Sequence, residues 1–190
     1  MERELLITGI GGQGVQLAAQ VLARAATLEG REVMYLGLYG GMMRGGNTDS
    51  TVVVADAPIL APPVVSRAWA AIAMHDDYWP AVETKLRPGG LVLVNDTTFT
   101  SDIRTDVTVH RVPATTVATD LGTPLSGLLV MLAAFCATTG LVAEDALIAA
   151  MRASIPSYRT QHIEANERAL RAGAHLLAAN EFPAWETANV

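Results

Sequence analysis

A chain of 190 residues, 51% apolar and 17% charged, with a net charge of −6, has the length of one domain with a substantial core. The acidic balance excludes a nucleic-acid role, which needs a basic stripe to displace counterions; one lysine, Lys85, and scattered arginines supply none. One cysteine, Cys136, excludes an internal disulfide and any zinc or iron–sulfur site built on thiolates alone.

The charged fraction falls below the roughly 25% of an ordinary soluble protein. Sparse charge points to surface hidden in an assembly, so a subunit of a larger complex is expected. Met1-Glu2-Arg3-Glu4 runs straight into a strand-like segment without a signal-peptide pattern. The longest apolar run, Gly127 to Ala137, is shorter than the roughly 20 residues that span a bilayer. A cytoplasmic chain without membrane contact is therefore expected.

Leu5-Leu6-Ile7-Thr8 reads as a buried strand stopped by glycine. Val15 to Leu28 reads as a helix with Val15, Ala18, Ala19, Leu22, Ala25 and Ala26 on one face, ended by Gly30. Val33 to Leu36 is a second strand, which completes a βαβ unit. A glycine-rich loop, Gly37 to Gly46, leads to a third strand over Thr51 to Ala55, and Pro58, Pro62 and Pro63 mark the loop after it.

Further strands are predicted at Trp69 to Met74, at Leu91 to Val94 and at Val107 to Val112, the last alternating as an edge strand does. A helix is expected over Asp76 to Leu86, followed by a Pro88-Gly89-Gly90 turn. Thr123-Pro124 supplies a cap residue and a first-turn proline for a helix to about Thr139. That helix is apolar nearly all round, so it must be buried on most sides. Its surface is the best candidate for a subunit interface. Glu144 to Ala153 and Thr160 to Ala179 are the last two helices. The pattern predicts a three-layer α/β domain spanning 1–190, a Rossmann-like, mainly parallel sheet with a C-terminal helical cluster.

Gly9-Ile10-Gly11-Gly12-Gln13-Gly14 satisfies G-x-G-x-x-G between a strand and a helix. Glycines there let a ligand approach the backbone, and free N–H groups at the helix start favour an anion. A dinucleotide site also needs an acid near the end of the second strand, where this chain has Tyr35, Leu36 and Gly37. Three readings stay open: a dinucleotide site, a site for another phosphate-bearing ligand or a partner's loop, and a packing turn.

The second glycine loop holds Arg44, Gly45, Gly46 and Asn47. Strands one and two are expected to be parallel neighbours, so both loops leave the sheet at one edge, where open α/β sheets bind ligands. Arg44 is the one full charge in its loop and suits a carboxylate or phosphate. The candidate binding residues are Gly9, Gly11, Gly12, Gln13, Gly14, Arg44, Gly45, Gly46 and Asn47.

His75, Asp76, Asp77, Asn95 and Asp96 follow strands and could line the same edge, although capping or turn duty is the expectation for the acids. His110, His162 and His175 are scattered and read as surface or satisfied histidines. Cys136 reads as a small core residue. No nucleophile setting and no general acid/base pair is evident, so no catalytic or metal-binding residue is assigned.

These segments together carry a resemblance. Gly9-Ile10-Gly11-Gly12-Gln13-Gly14-Val15, Arg44-Gly45-Gly46, Asp56-Ala57-Pro58-Ile59, Leu86-Arg87-Pro88-Gly89-Gly90, Val112-Pro113-Ala114 and Glu164 to Gly173 resemble the gamma subunit or domain of 2-oxoacid:ferredoxin oxidoreductases. The group takes in the pyruvate, 2-oxoisovalerate and 2-oxoglutarate enzymes and the related beta subunit of indolepyruvate oxidoreductase. The resemblance covers nearly the whole chain.

It implies a subunit inactive alone, working with alpha and beta subunits and a ferredoxin-like delta subunit. Such complexes decarboxylate a 2-oxoacid on thiamine diphosphate with magnesium. They pass electrons through iron–sulfur clusters to ferredoxin and deliver the acyl group to coenzyme A. The gamma part is similar to a lid and assembly module near the coenzyme A entrance, with the cofactors held on or with the partner subunits. The alternatives that the residues leave open are a stand-alone nucleotide-binding module and a purely architectural subunit.

Overall fold

The computed structural model describes residues 1–39, 45–60, 62 and 64–185. In chain order the elements are β1 (Glu2–Ile10), α1 (Val15–Leu28), β2 (Glu32–Tyr39), β3 (Asn47–Ala55), β4 (Ala68–Ala73), α2 (Trp79–Glu83), β5 (Leu86–Asn95) and β6 (Thr108–Val112). Then come α3 (Ala114–Asp120), α4 (Gly127–Thr139), α5 (Glu144–Ser154) and α6 (Ile163–Ala174). Short 3₁₀ segments at Pro124–Ser126 and Ser157–His162 lead into α4 and α6.

The strands form one six-stranded sheet in the order β2-β3-β1-β4-β5-β6. β1, β4, β5 and β6 pair in parallel, while β3 runs antiparallel to both β1 and β2. The mainly parallel α/β sheet is as predicted, but the first two strands are not neighbours. The α1 crossover leaves a gap one strand wide, and β3 fills it as the return arm of a hairpin from β2. A short connection between consecutive strands permits only antiparallel pairing. β1 and β2 still point the same way, so both glycine loops do reach one sheet edge.

Apolar alternation places the two faces. Leu5, Ile7, Val52, Val54, Ile72, Leu91 and Leu93 face the layer containing α1, α3, α4, α5 and α6. Leu6, Ala71, Ala73, Val92 and Val94 face the other side, where α2 brings Trp79 and Val82 against them, with Phe99 alongside. The helices are thus divided unequally between the outer layers.

α4 is buried almost throughout, as its apolar circumference requires. The covering comes from this chain: α6 and α3 pack on it, and Gly173 of α6 lies directly over the Val130 backbone. The expected subunit interface on this helix is therefore corrected, because its apolar surface is consumed internally.

Four boundaries also differ. The Pro88-Gly89-Gly90 segment lies inside β5 as an irregularity in its pairing with β4. Only Trp79–Glu83 of the expected Asp76–Leu86 helix is helical. The final helix starts at Ile163 and ends at Ala174, because Arg159 has non-helical torsions in the preceding 3₁₀ segment. Thr123 does not cap the next helix; its hydroxyl is buried without a partner.

Candidate functional site

The Gly11–Gly14 turn is shaped by its own sequence. Gly12 and Gly14 have φ of 109° and 82°, a left-handed region where a Cβ costs roughly 1–2 kcal/mol. Gln13 folds back so that its Oε1 accepts the Ile10 N–H at 2.9 Å, while the Gln13 N–H donates to Ile10 O at 3.1 Å. The second loop is stitched to the first: Gly11 N–H donates to Gly46 O at 2.9 Å, and Gly45 N–H to Gly11 O at 3.4 Å.

The turn opens α1 without a capping side chain. Its first-turn N–H groups lack intrahelical partners and carry the positive end of the helix dipole. They face a cleft of about 620 Å³ on the sheet face covered by α1, α4 and α6.

The opposite wall comes from distant sequence. After α3, Gly122 N–H bonds Thr119 O and Thr123 N–H bonds Ala118 O, at 2.9 and 2.8 Å. These bonds turn the chain so that Thr123, Pro124, Leu125 and Ser126 line the cleft. The 3₁₀ segment and the start of α6 add Arg159, His162 and Asn166. Ser126 Oγ donates to Asn166 Oδ1 at 2.9 Å, tying the two halves of this wall.

The electrostatic character is one-sided. Among the described lining residues the ionisable side chains are Arg159 and His162, and none is a carboxylate. Thr123 is only 8% exposed, and its Oγ1 lacks a hydrogen-bond partner. That hydroxyl oxygen is itself closed off from the cleft, so it is a cost to the fold and not a donor offered to a ligand. Helix-start amides and a guanidinium make this pocket suited to phosphate or carboxylate.

Of the predicted binding residues, Gly11, Gly12 and Gly14 line this cleft. Gly9 lies beneath the turn, where a Cβ would crowd Gln13 and Met74. Gln13, Gly45 and Gly46 hold the two loops together. Asn47 donates to Asp49 Oδ2 at 2.8 Å. Arg44 lies outside the described residues. The sequence reads Thr123 as a helix cap and His162 as a surface or satisfied histidine, and it marks neither Arg159 nor Asn166 as a site residue, although Asn166 lies in the Glu164–Gly173 segment.

The other candidates serve structure. Asp76 Oδ2 accepts four hydrogen bonds, from the backbone and hydroxyl groups of Thr100 and Ser101. The side-chain bond from Thr100 leads in holding its pKa down to about 2. His75 Nδ1 accepts the Asp77 N–H at 3.2 Å. Asn95 bonds Thr98, Thr115 and the Thr115 backbone, anchoring the start of α3. Burial first pushes the Cys136 thiol pKa far up, which disfavours a thiolate ligand or nucleophile.

The geometry also disfavours a dinucleotide reading. β3 separates β1 from β2, and β2 ends in Leu36, Gly37, Leu38 and Tyr39, so no acid reaches the ribose position beside the glycine turn.

The pyruvate ferredoxin/flavodoxin oxidoreductase family matches residues 4–176. The 2-oxoglutarate synthase subunit KorC of Methanocaldococcus jannaschii is 31% identical over 160 residues, covering 82% of this chain and 85% of that protein. The keto/oxoacid ferredoxin oxidoreductase gamma subunit of Geobacter sulfurreducens superposes with a TM-score of 0.80 at 25% identity, over 93% of this chain and 96% of that one. The pyruvate oxidoreductase subunit PORC of Thermotoga maritima gives a TM-score of 0.73 at 26% identity, over 95% and 99%.

Proposed function

The chain belongs to the pyruvate ferredoxin/flavodoxin oxidoreductase family as a gamma-type subunit, and from that premise we propose that its cleft receives the anionic end of a substrate of the complex. The substrate classes are coenzyme A, through its phosphates, and a 2-oxoacid, through its carboxylate. The donor-rich, carboxylate-free cleft between the α1 start and Arg159 is the observation that carries this reading.

Such a complex oxidatively decarboxylates a 2-oxoacid to its acyl-CoA and reduces ferredoxin. Thiamine diphosphate would supply the decarboxylation chemistry of such a complex, and iron–sulfur clusters its electron-transfer chemistry. This chain does not suit either cofactor. Its one cysteine is buried in α4, and in the clustered group His75, Asp76 and Asp77 the Asp76 Oδ2 is already saturated with donors. Alpha, beta and delta partners hold those groups.

What this chain contributes is binding and enclosure. The α1 amides and Arg159 bind negative charge, and the Pro124–Ser126 lip excludes water from one side. Residues 1–190 act as one gamma-type domain that assists assembly and closes the substrate site. A cytoplasmic location fits the buried, unpaired cysteine, and among the described residues no helix is long and apolar enough to cross a membrane.

Reconstituting the complex with and without this chain tests the proposal. Loss of coenzyme A-dependent 2-oxoacid oxidation on omission is expected. Full coenzyme A-dependent activity without the chain would overturn it.

A further inference from the structure

On the reading of the cleft as an anion site, on which this role depends, we propose that Gln16 is a positioning residue. Its side chain, seated against Tyr35 and Gly37, holds the first turn of α1 at the angle from which the amides of that turn meet the substrate. The turn lacks a hold of its own. α1 opens from a glycine turn without a side-chain cap, and nothing lies within 4 Å of where a Cβ would stand on Gly12 or Gly14. The N–H groups of Val15, Gln16 and Leu17 have no acceptor within the helix.

Gln16, the second residue of α1, lines the cleft and ties the helix to the sheet. Its Nε2 donates to Asp49 O at 3.0 Å and to Leu38 O at 3.5 Å. Leu38 and Asp49 are direct partners across β2 and β3, so one amide group bridges a single rung of the ladder. Thr48, beside Asp49, is itself part of the cleft wall. The Tyr35 hydroxyl donates to Gln16 Oε1. Both N–H groups and the carbonyl oxygen of the Gln16 side chain are then engaged. It acts on a ligand through the α1 backbone and not by direct contact.

Gly37 shows that the seat is fitted to Gln16. Alternation along β2 puts Gly37 on the same face as Val33 and Tyr35, which pack toward α1. Its φ is not positive, so the backbone does not require glycine there. Space does. A Cβ on Gly37 would run into Gln16 Oε1 and stand 2.7 Å from the Tyr35 hydroxyl. Both obstructing atoms end flexible side chains, so a methyl group at this position would evict Gln16 and leave the strand in place. Burial between a helix and a sheet asks only for an apolar side chain at position 16. A glutamine with every polar group bonded fixes direction as well.

Steady-state kinetics on the assembled complex test this role, with Arg159→Ala as the reference for the cleft. Gln16→Met keeps the length of the side chain and removes its hydrogen bonds. It should raise KM about three- to tenfold for the substrate that Arg159→Ala affects, and change kcat less than about twofold. Gly37→Ala should raise the same KM, and the double variant should be no worse than the weaker single one, because both changes empty one seat. Gln20→Met, on the exposed side of α1, should change nothing. Should Gln16→Met fail to assemble, Tyr35→Phe, which removes one hydroxyl, carries the same KM test with a smaller expected rise. A lower melting temperature with KM unmoved overturns the proposal, since a merely structural contact behaves that way. So do additive effects of Gln16→Met and Gly37→Ala. If Arg159→Ala raises KM and Gln16→Met does not, the cleft reading stands and the role of Gln16 falls. If neither raises KM for coenzyme A or the 2-oxoacid, both fall.

Discussion

Ser126 Oγ and Asn166 Oδ1, forty residues apart in sequence, share a 2.9 Å hydrogen bond that joins the lip before α4 to the first turn of α6. Both residues are buried on the cleft wall. Asn166→Ala strands the Ser126 hydroxyl, and a buried unsatisfied donor costs about 1–3 kcal/mol, readable as a lower melting temperature of the chain. Asn166→Asp retains an acceptor but places a carboxylate in a wall that otherwise has none. In the assembled enzyme it should raise KM for the anionic substrate severalfold with little change in kcat.

Arg159 owes its place in the cleft to a break in helical geometry, with φ of −124° and ψ of 17°. A charge-assisted bond to phosphate or carboxylate contributes about 1.5–3 kcal/mol. Arg159→Ala should therefore raise KM for coenzyme A or the oxoacid by about tenfold or more, while assembly and melting stay unchanged. Steady-state kinetics on the complex decides it. An unchanged KM for both substrates would remove Arg159 from the site.

Two glycines fail for opposite reasons when given a Cβ. Gly14 has open space around it but a φ of 82°, so Gly14→Ala should cost about 1–2 kcal/mol through backbone strain alone. At Gly173 a Cβ would run into the Val130 backbone. Gly173→Ala forces α6 away from α4, and overpacking of this kind costs about 1–3 kcal/mol or more. Thermal unfolding of the two variants separates them: the Gly173 variant should also show increased amide exchange along α6, the Gly14 variant should not.

What sequence could reveal follows from what is local. The α1 range Val15–Leu28 came directly from periodicity between a glycine turn and Gly30. The glycine turn and its meeting with the second loop were legible because both follow strand ends. The expected pairing of β1 with β2 fails because a run of Thr and Val shows that a third strand exists, not that it fills the gap between them. The apolar circumference of α4 correctly demanded burial, but periodicity cannot tell cover by α6 from cover by another chain. Half of the cleft was illegible for the same reason. Thr123, Arg159 and His162 are ordinary loop residues until the α3 end and the 3₁₀ segment fold back over α1.

Asp76 gives the pH prediction. Its carboxylate ties the end of β4 to the 98–101 segment, and the four donors on Oδ2 lower its pKa from 3.8 to about 2, the Thr100 hydroxyl first among the causes. A carboxyl whose folded-state pKa is depressed stabilises the fold in its charged form. That stabilisation is complete above the unfolded value near 3.8 and is lost as pH falls through about 2. Asp76→Asn keeps the shape but cannot accept the same set of bonds with a full charge. The variant should melt below the wild type at neutral pH, and the gap should narrow steadily once pH drops under about 4. Melting curves of both chains from neutral pH into that acid range check the sign. A gap that stays constant across it would mean that Asp76 contributes through shape and not through charge.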